Sequence, residues 1–145
     1  MAEVLGVASA IAGLLSLSGS ILSQGDSFIN SVRKAPRELR ELLSETAALN
    51  TVIDRLQSLA EDDTLRGGNS ALQGLAKGGG IQDCFELLRS VQRSIARCEQ
   101  IKGQELRNLG RSMIWPFKEK ETKDTLTRLS RMRDHLATAV SVDMM

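Results

Sequence analysis

Residues 4 to 25 hold no charged side chain: the first charge after Glu3 is Asp26, and the segment contains nine large aliphatics, Val4, Leu5, Val7, Ile11, Leu14, Leu15, Leu17, Ile21 and Leu22, the rest being Ala, Gly, Ser and one Gln. A run of this length reaches across a bilayer as a helix, although its Ser and Gly content makes it a marginal span. Positions 4, 7, 11, 14 and 21 also follow a core-facing helical stripe, interrupted at Ser18. The pattern therefore admits burial in protein or in lipid. A secretory signal would open on a basic region, and here that region is Met1-Ala2-Glu3. Gln24-Gly25-Asp26-Ser27 supplies a helix stop and a new N-cap, which predicts a separate short helix over about 27 to 34.

The remainder of the chain reads as helix throughout. Pro36 suits a first helical turn, followed by Leu39, Leu42, Thr46, Leu49, Ile53 and Leu56 at spacings of three and four. Residues 61 to 80 break the pattern with Glu61-Asp62-Asp63 and six glycines, predicting a flexible loop. From Ile81 a stripe resumes at Cys84, Leu88, Val91, Ile95 and Cys98 and extends toward Ile101, Leu106 and Leu109. Trp115-Pro116-Phe117 marks a corner, because proline disfavours helix at the preceding residue. The last helix carries Leu126, Leu129, Met132, Leu136 and Val140. Scarce aromatics and abundant Leu, Ala, Arg and Glu agree with helix. The expected fold is all-α, an antiparallel bundle of four principal helices plus the short one, in a single domain over residues 1 to 145.

Charge and motif content narrow the function classes. Lys and Arg number 19 against 18 Asp and Glu, so no global field draws the chain to nucleic acid. Cys84 and Cys98 lie 14 residues apart on one helix, about 21 Å of rise, beyond disulfide reach within it. With one histidine, His135, no zinc site is suggested and the expected cofactor set is empty. The Gly67 to Gly80 stretch lacks the Gly-Lys-Ser/Thr ending and the preceding strand of a phosphate loop. Asp62 and Asp63 lack burial to tune a pKa, and no nucleophile stands in a recognisable catalytic setting, so the chain reads as a non-enzyme.

Two surface features remain. Four-residue spacings of small residues, Gly6 to Ala10, Ser9 to Gly13 and Ser16 to Ser20, permit close helix approach of the kind seen in membranes. Arg89, Arg93 and Arg97 recur every four residues opposite the Val91 and Cys98 face, and each could contribute about 1 kcal/mol against an anionic leaflet. A solvated charged face is the ordinary alternative.

Three stretches resemble the fungal HeLo-like domains. They are the opening Met1-Ala2-Glu3-Val4-Leu5-Gly6-Val7-Ala8-Ser9, the Val32-Arg33-Lys34-Ala35-Pro36 entry to the Arg37-Glu38-Leu39-Arg40-Glu41-Leu42 helix, and Trp115-Pro116-Phe117-Lys118-Glu119-Lys120-Glu121 before the last helix. The resemblance implies an effector domain of fungal immunity and heterokaryon incompatibility, acting in programmed cell death. In that family a helical bundle oligomerises and its first helix inserts into the plasma membrane from the cytoplasmic side. The nine aliphatics would then insert, Glu3 would line a pore, and the three arginines would meet anionic lipid. Partners so implied are membrane lipids, further copies of the chain, and a C-terminal nucleotide-binding or amyloid module or a partner receptor. The alternative is a soluble oligomerisation or adaptor domain whose first helix never leaves the bundle.

Overall fold

The computed structural model describes residues 2–32, 34–66, 74, 78–105 and 115–144, and among them lie four long helices and no strand. They are α1 (Ala2–Ser31), α2 (Arg37–Arg66), α3 (Gly80–Glu105) and α4 (Glu119–Met144).

The first helix is longer than the local signals predict. It runs without a break through Gln24-Gly25-Asp26-Ser27, so the expected short helix over 27 to 34 is the end of α1. The reason is tertiary. Ile11, Leu14, Ser18, Ile21, Gly25 and Phe28 form one buried stripe at spacings of three and four, and a stop at Gly25 would withdraw Phe28 from the core. Gly25 acts here as a contact surface, since a Cβ there would overlap the Leu43 side chain of α2. The helix ends at Ser31, whose hydroxyl donates to the Phe28 carbonyl (2.7 Å).

Ser18 does not interrupt the stripe. It is fully buried, its hydroxyl donates to the Leu15 carbonyl (3.1 Å), and it accepts a hydrogen bond from Asn50 Nδ2 of α2 (2.7 Å). A buried hydroxyl with both functions used carries little of the penalty of an unpaired one.

Pro36 immediately precedes α2, and its carbonyl accepts from the Arg40 amide (3.3 Å). Leu39, Leu42, Thr46, Leu49, Ile53 and Leu56 are all buried as their spacing predicts, with the Thr46 hydroxyl satisfied by the Leu42 carbonyl (2.7 Å). The helix then continues through Glu61-Asp62-Asp63 to Arg66, which corrects the expected loop start at 61. Ala60 prolongs the buried face, and no glycine or proline breaks the chain before Gly67. The remaining loop residues, 67 to 73 and 75 to 77, lie outside the described residues.

Gly79 has φ +79°, a conformation glycine adopts without strain, and its carbonyl accepts from the Asp83 amide (2.9 Å) to open α3. Cys84, Leu88, Val91, Ile95 and Cys98 are all fully buried, and Ile101 packs half-buried against the core. Leu106 and Leu109 lie outside the described residues. Before α4, the Trp115 and Phe117 rings meet edge to face at 5.0 Å, and Trp115 Nε1 donates to Thr122 Oγ1 (2.7 Å). The corner is thus pinned to the first turns of its own helix. Leu129, Leu136, Ala139 and Val140 are buried, with Leu126 and Met132 half-buried beside them.

The helices do not share the core evenly. α1 packs mainly on α2 and then on α3, α2 packs on α4, and α3 and α4 touch little. Phe85 of α3 reaches α1 at Gly13, where a Cβ would come 3.1 Å from its ring. Arg133 of α4 pairs with Glu45 of α2 at 3.1 Å.

The two α1 glycines of opposite surroundings yield a stability prediction. A Cβ added at Gly19 would meet nothing within 4 Å, so Gly19→Ala should stabilise by about 0.5–1 kcal/mol through helix propensity. Gly25→Ala should lower the melting temperature, because Leu43 is buried and has little room to yield. Thermal denaturation of the two variants reads the difference directly.

Candidate membrane-active helix and basic groove

The nine aliphatics nominated for insertion fall into distinct settings. Ile11, Leu14 and Ile21 are fully buried against α2 and α3, whereas Val7, Leu15, Leu17 and Leu22 are half-buried on the flanks of that stripe. Val4 and Leu5, with Glu3, belong to the first turns of α1 by backbone, and their side chains lie outside the described part. The outward face carries Gly6, Ser9, Ser16, Gly19, Ser20 and Ser23, all exposed. Of the small residues spaced by four, Gly13 meets α3 and most of the others face outward.

Among the described residues one helix, over Gly6–Ser31, is long and apolar enough by length and composition to cross a membrane, and 28% of its apolar window is buried. A core helix of a soluble protein passes the same length and composition test, but such a helix is mostly covered. α1 therefore has the composition of an interior helix but leaves most of its apolar window incompletely covered.

The arginine row divides. Arg89 stacks its guanidinium over the Phe85 ring at 5.7 Å, a cation–π contact beside α1. Arg93 and Arg97 face the shallow junction of α3 and α4, where two adjoining cavities of about 570 and 450 Å³ share Ser90, Arg93 and Thr125 in their walls. All three arginines are exposed. Periodicity located the row but carried no signal for this division, because the groove is made by a helix distant in sequence.

Both cysteines are buried free thiols. Burial pushes the Cys84 thiol up from 9.0 to about 12, and burial with the nearby Glu99 carboxylate pushes Cys98 up to about 11. The raised values disfavour the thiolate, so neither sulfur is armed for nucleophilic chemistry. Among the described residues no group of three or more His, Cys, Asp or Glu side chains could hold a metal ion. His135 is exposed and lines the wider cavity.

The Ser18 and Asn50 pair escaped sequence reasoning. The available signal was positional: Ser18 occupies the one gap in an otherwise regular stripe, which marks it as buried and in need of a partner.

Comparison with family models, with curated proteins and with solved structures finds no match to this chain. The likeness to HeLo-like domains rests on the three sequence stretches that carry it.

Proposed function

We propose that the chain is a HeLo-like effector domain of programmed cell death, which permeabilises membranes by oligomerising and inserting α1. The observation that carries the reading is the pairing of a charge-free stretch, residues 4 to 25, within a membrane-length helix with only 28% burial of its apolar window. Of the seven aliphatics whose side chains are described, the bundle covers three completely, whereas lipid would receive them all. Such a helix has two environments of comparable merit, and oligomerisation or an anionic surface can bias the choice.

The polar spot on the stripe does not oppose release. Ser18 already donates to the Leu15 carbonyl within its own helix and would remain satisfied in lipid. Asn50 is half-buried and would regain water.

We read the helices as an antiparallel bundle. Ser18 with Asn50, and Gly25 with Leu43, pair rising numbers on α1 with falling numbers on α2. The resting domain is cytoplasmic on this reading and moves to the plasma membrane when activated. Its partners are anionic lipids, met in part through surface arginines such as Arg89, and further copies of itself. A C-terminal nucleotide-binding or amyloid module, or a partner receptor, would supply the trigger. Neither a cofactor nor an enzymatic step enters the mechanism.

The rival reading, a soluble adaptor that keeps α1 in place, draws on the complete burial of Ile11, Leu14 and Ile21. Thiol labelling separates the two. α1 is the principal neighbour of α3, so its departure opens the face that holds Cys84 and Cys98. At pH 8 the raised pKa of Cys84 alone lowers its thiolate population about a thousandfold. Adding anionic liposomes should accelerate labelling of both cysteines by two or more orders of magnitude, alongside co-sedimentation. Unchanged labelling, with the protein left in the supernatant, would establish the adaptor.

A further inference from the structure

The weak contact between α3 and α4 leaves a groove along both helices. On α3 it extends from Asp83 to Arg97, about 21 Å at the rise of an α-helix, or four turns. Its apolar surface comes from Leu87 and Met132 in one half and from Trp115 and Phe117 in the other.

Charge lines both halves. Arg93 borders both, Arg97 lies beside the aromatic pair, and Arg128 and Arg131 of α4 line the half that holds Leu87 and Met132. None of these four has a carboxylate within ion-pair distance among the described residues. The carboxylates share these walls, Asp83 and Glu86 in the half with Arg128 and Arg131, and Glu121 in the half with Arg97.

From these features we propose that the groove docks an amphipathic helix of another polypeptide, with an apolar stripe flanked by Asp or Glu. The length matches about four helical turns, the aromatic pair offers an anchor of the kind that dominates interfaces, and the four unpaired arginines complement acidic flanks. The docking surface is independent of whether α1 ever inserts.

Trp115 is the sole tryptophan and lines the groove, so its emission reports occupancy. The probe is a synthetic 18-residue helix with a leucine stripe and glutamate flanks, titrated into the intact chain. The expected result is a saturable blue shift, absent with the lysine-flanked version of the same peptide. Combining Arg93→Glu with Arg128→Glu should weaken binding at least about tenfold, while Arg89→Glu, outside the groove, should leave it unchanged. Should the double variant melt abnormally, Ser90→Phe provides a second test, because it fills the shared wall without altering charge. No saturable shift, an equal response to the lysine-flanked peptide, or equal weakening by Arg89→Glu would each overturn the proposal. So would phosphatidylserine vesicles that shift Trp115 where the acidic peptide does not, which would assign these arginines to lipid.

Discussion

Ser16→Asp is expected to abolish the proposed membrane permeabilisation while leaving the fold intact, whereas Leu14→Asp, two residues earlier, is expected to unfold the domain in water. Both variants place the same charge near the middle of the same apolar segment. Leu14 is fully buried, and an unpaired carboxylate there has no compensating donor. Its cost, above about 4 kcal/mol, is comparable with the whole stability of an ordinary domain. Ser16 is exposed, so its change should alter stability by about 0.5 kcal/mol or less. In lipid the burial difference vanishes, and an Asp near the centre of a span costs about 2.5–3.5 kcal/mol, roughly a hundredfold in insertion. Liposome leakage and circular dichroism on both proteins check the prediction. Undiminished leakage by a folded Ser16→Asp protein would remove α1 insertion from the mechanism.

Removing residues 2 to 23 should do more than silence a membrane activity: the remaining chain should lose its fixed tertiary structure. The deletion takes Ile11, Leu14 and Ile21 out of the core, at about 1.5–3 kcal/mol for each large side chain. It also strips α3 of its principal neighbour and exposes Leu88, Val91 and Ile95, since α3 touches α4 little. Retained far-ultraviolet helix signal, lost near-ultraviolet signal and strong binding of a hydrophobic dye are the expected signature. A cooperative melt of the truncated chain would show instead that α2, α3 and α4 form a core without α1. A leaky truncated protein would thus say little about insertion, and Ser16→Asp is the cleaner comparison.

The helical seams were legible because burial of a helix face imposes a local period. Leu39 to Leu56 on α2 and Cys84 to Cys98 on α3 are buried at the positions their spacing predicts. Local stop signals were less faithful. Gly25-Asp26-Ser27 has the chemistry of a helix boundary, yet the core holds Phe28 and has room for Leu43 only where Gly25 lacks a side chain. Likewise Glu61 to Arg66 carried loop-like polarity, and helix propagation from Ala60 overrode it. Tertiary burial can contribute several kcal/mol, while a boundary preference contributes about one, so the weaker local signal yields.

The candidate site was half legible. Sequence alone marked α1 as free of charge from residue 4 to 25 and placed Arg89, Arg93 and Arg97 on one face. It could not tell that Arg89 rests on Phe85 while Arg93 and Arg97 border a groove with α4, since that neighbour lies about thirty residues further along the chain. Nor could it find the Asn50 donor for Ser18, 32 positions away.

By itself, then, the amino-acid order determined an all-helical chain, the buried stripe of each helix and an uncharged first segment of membrane length, residues 4 to 25. Only the tertiary structure decided that Ile11, Leu14 and Ile21 are covered while Ser16, Gly19 and Ser20 are not, and that α3 and α4 stay apart. The physical reason is that periodicity is a property of neighbours in sequence, whereas coverage depends on which distant helix arrives, how closely small residues such as Gly13 and Gly25 let it approach, and what it leaves open.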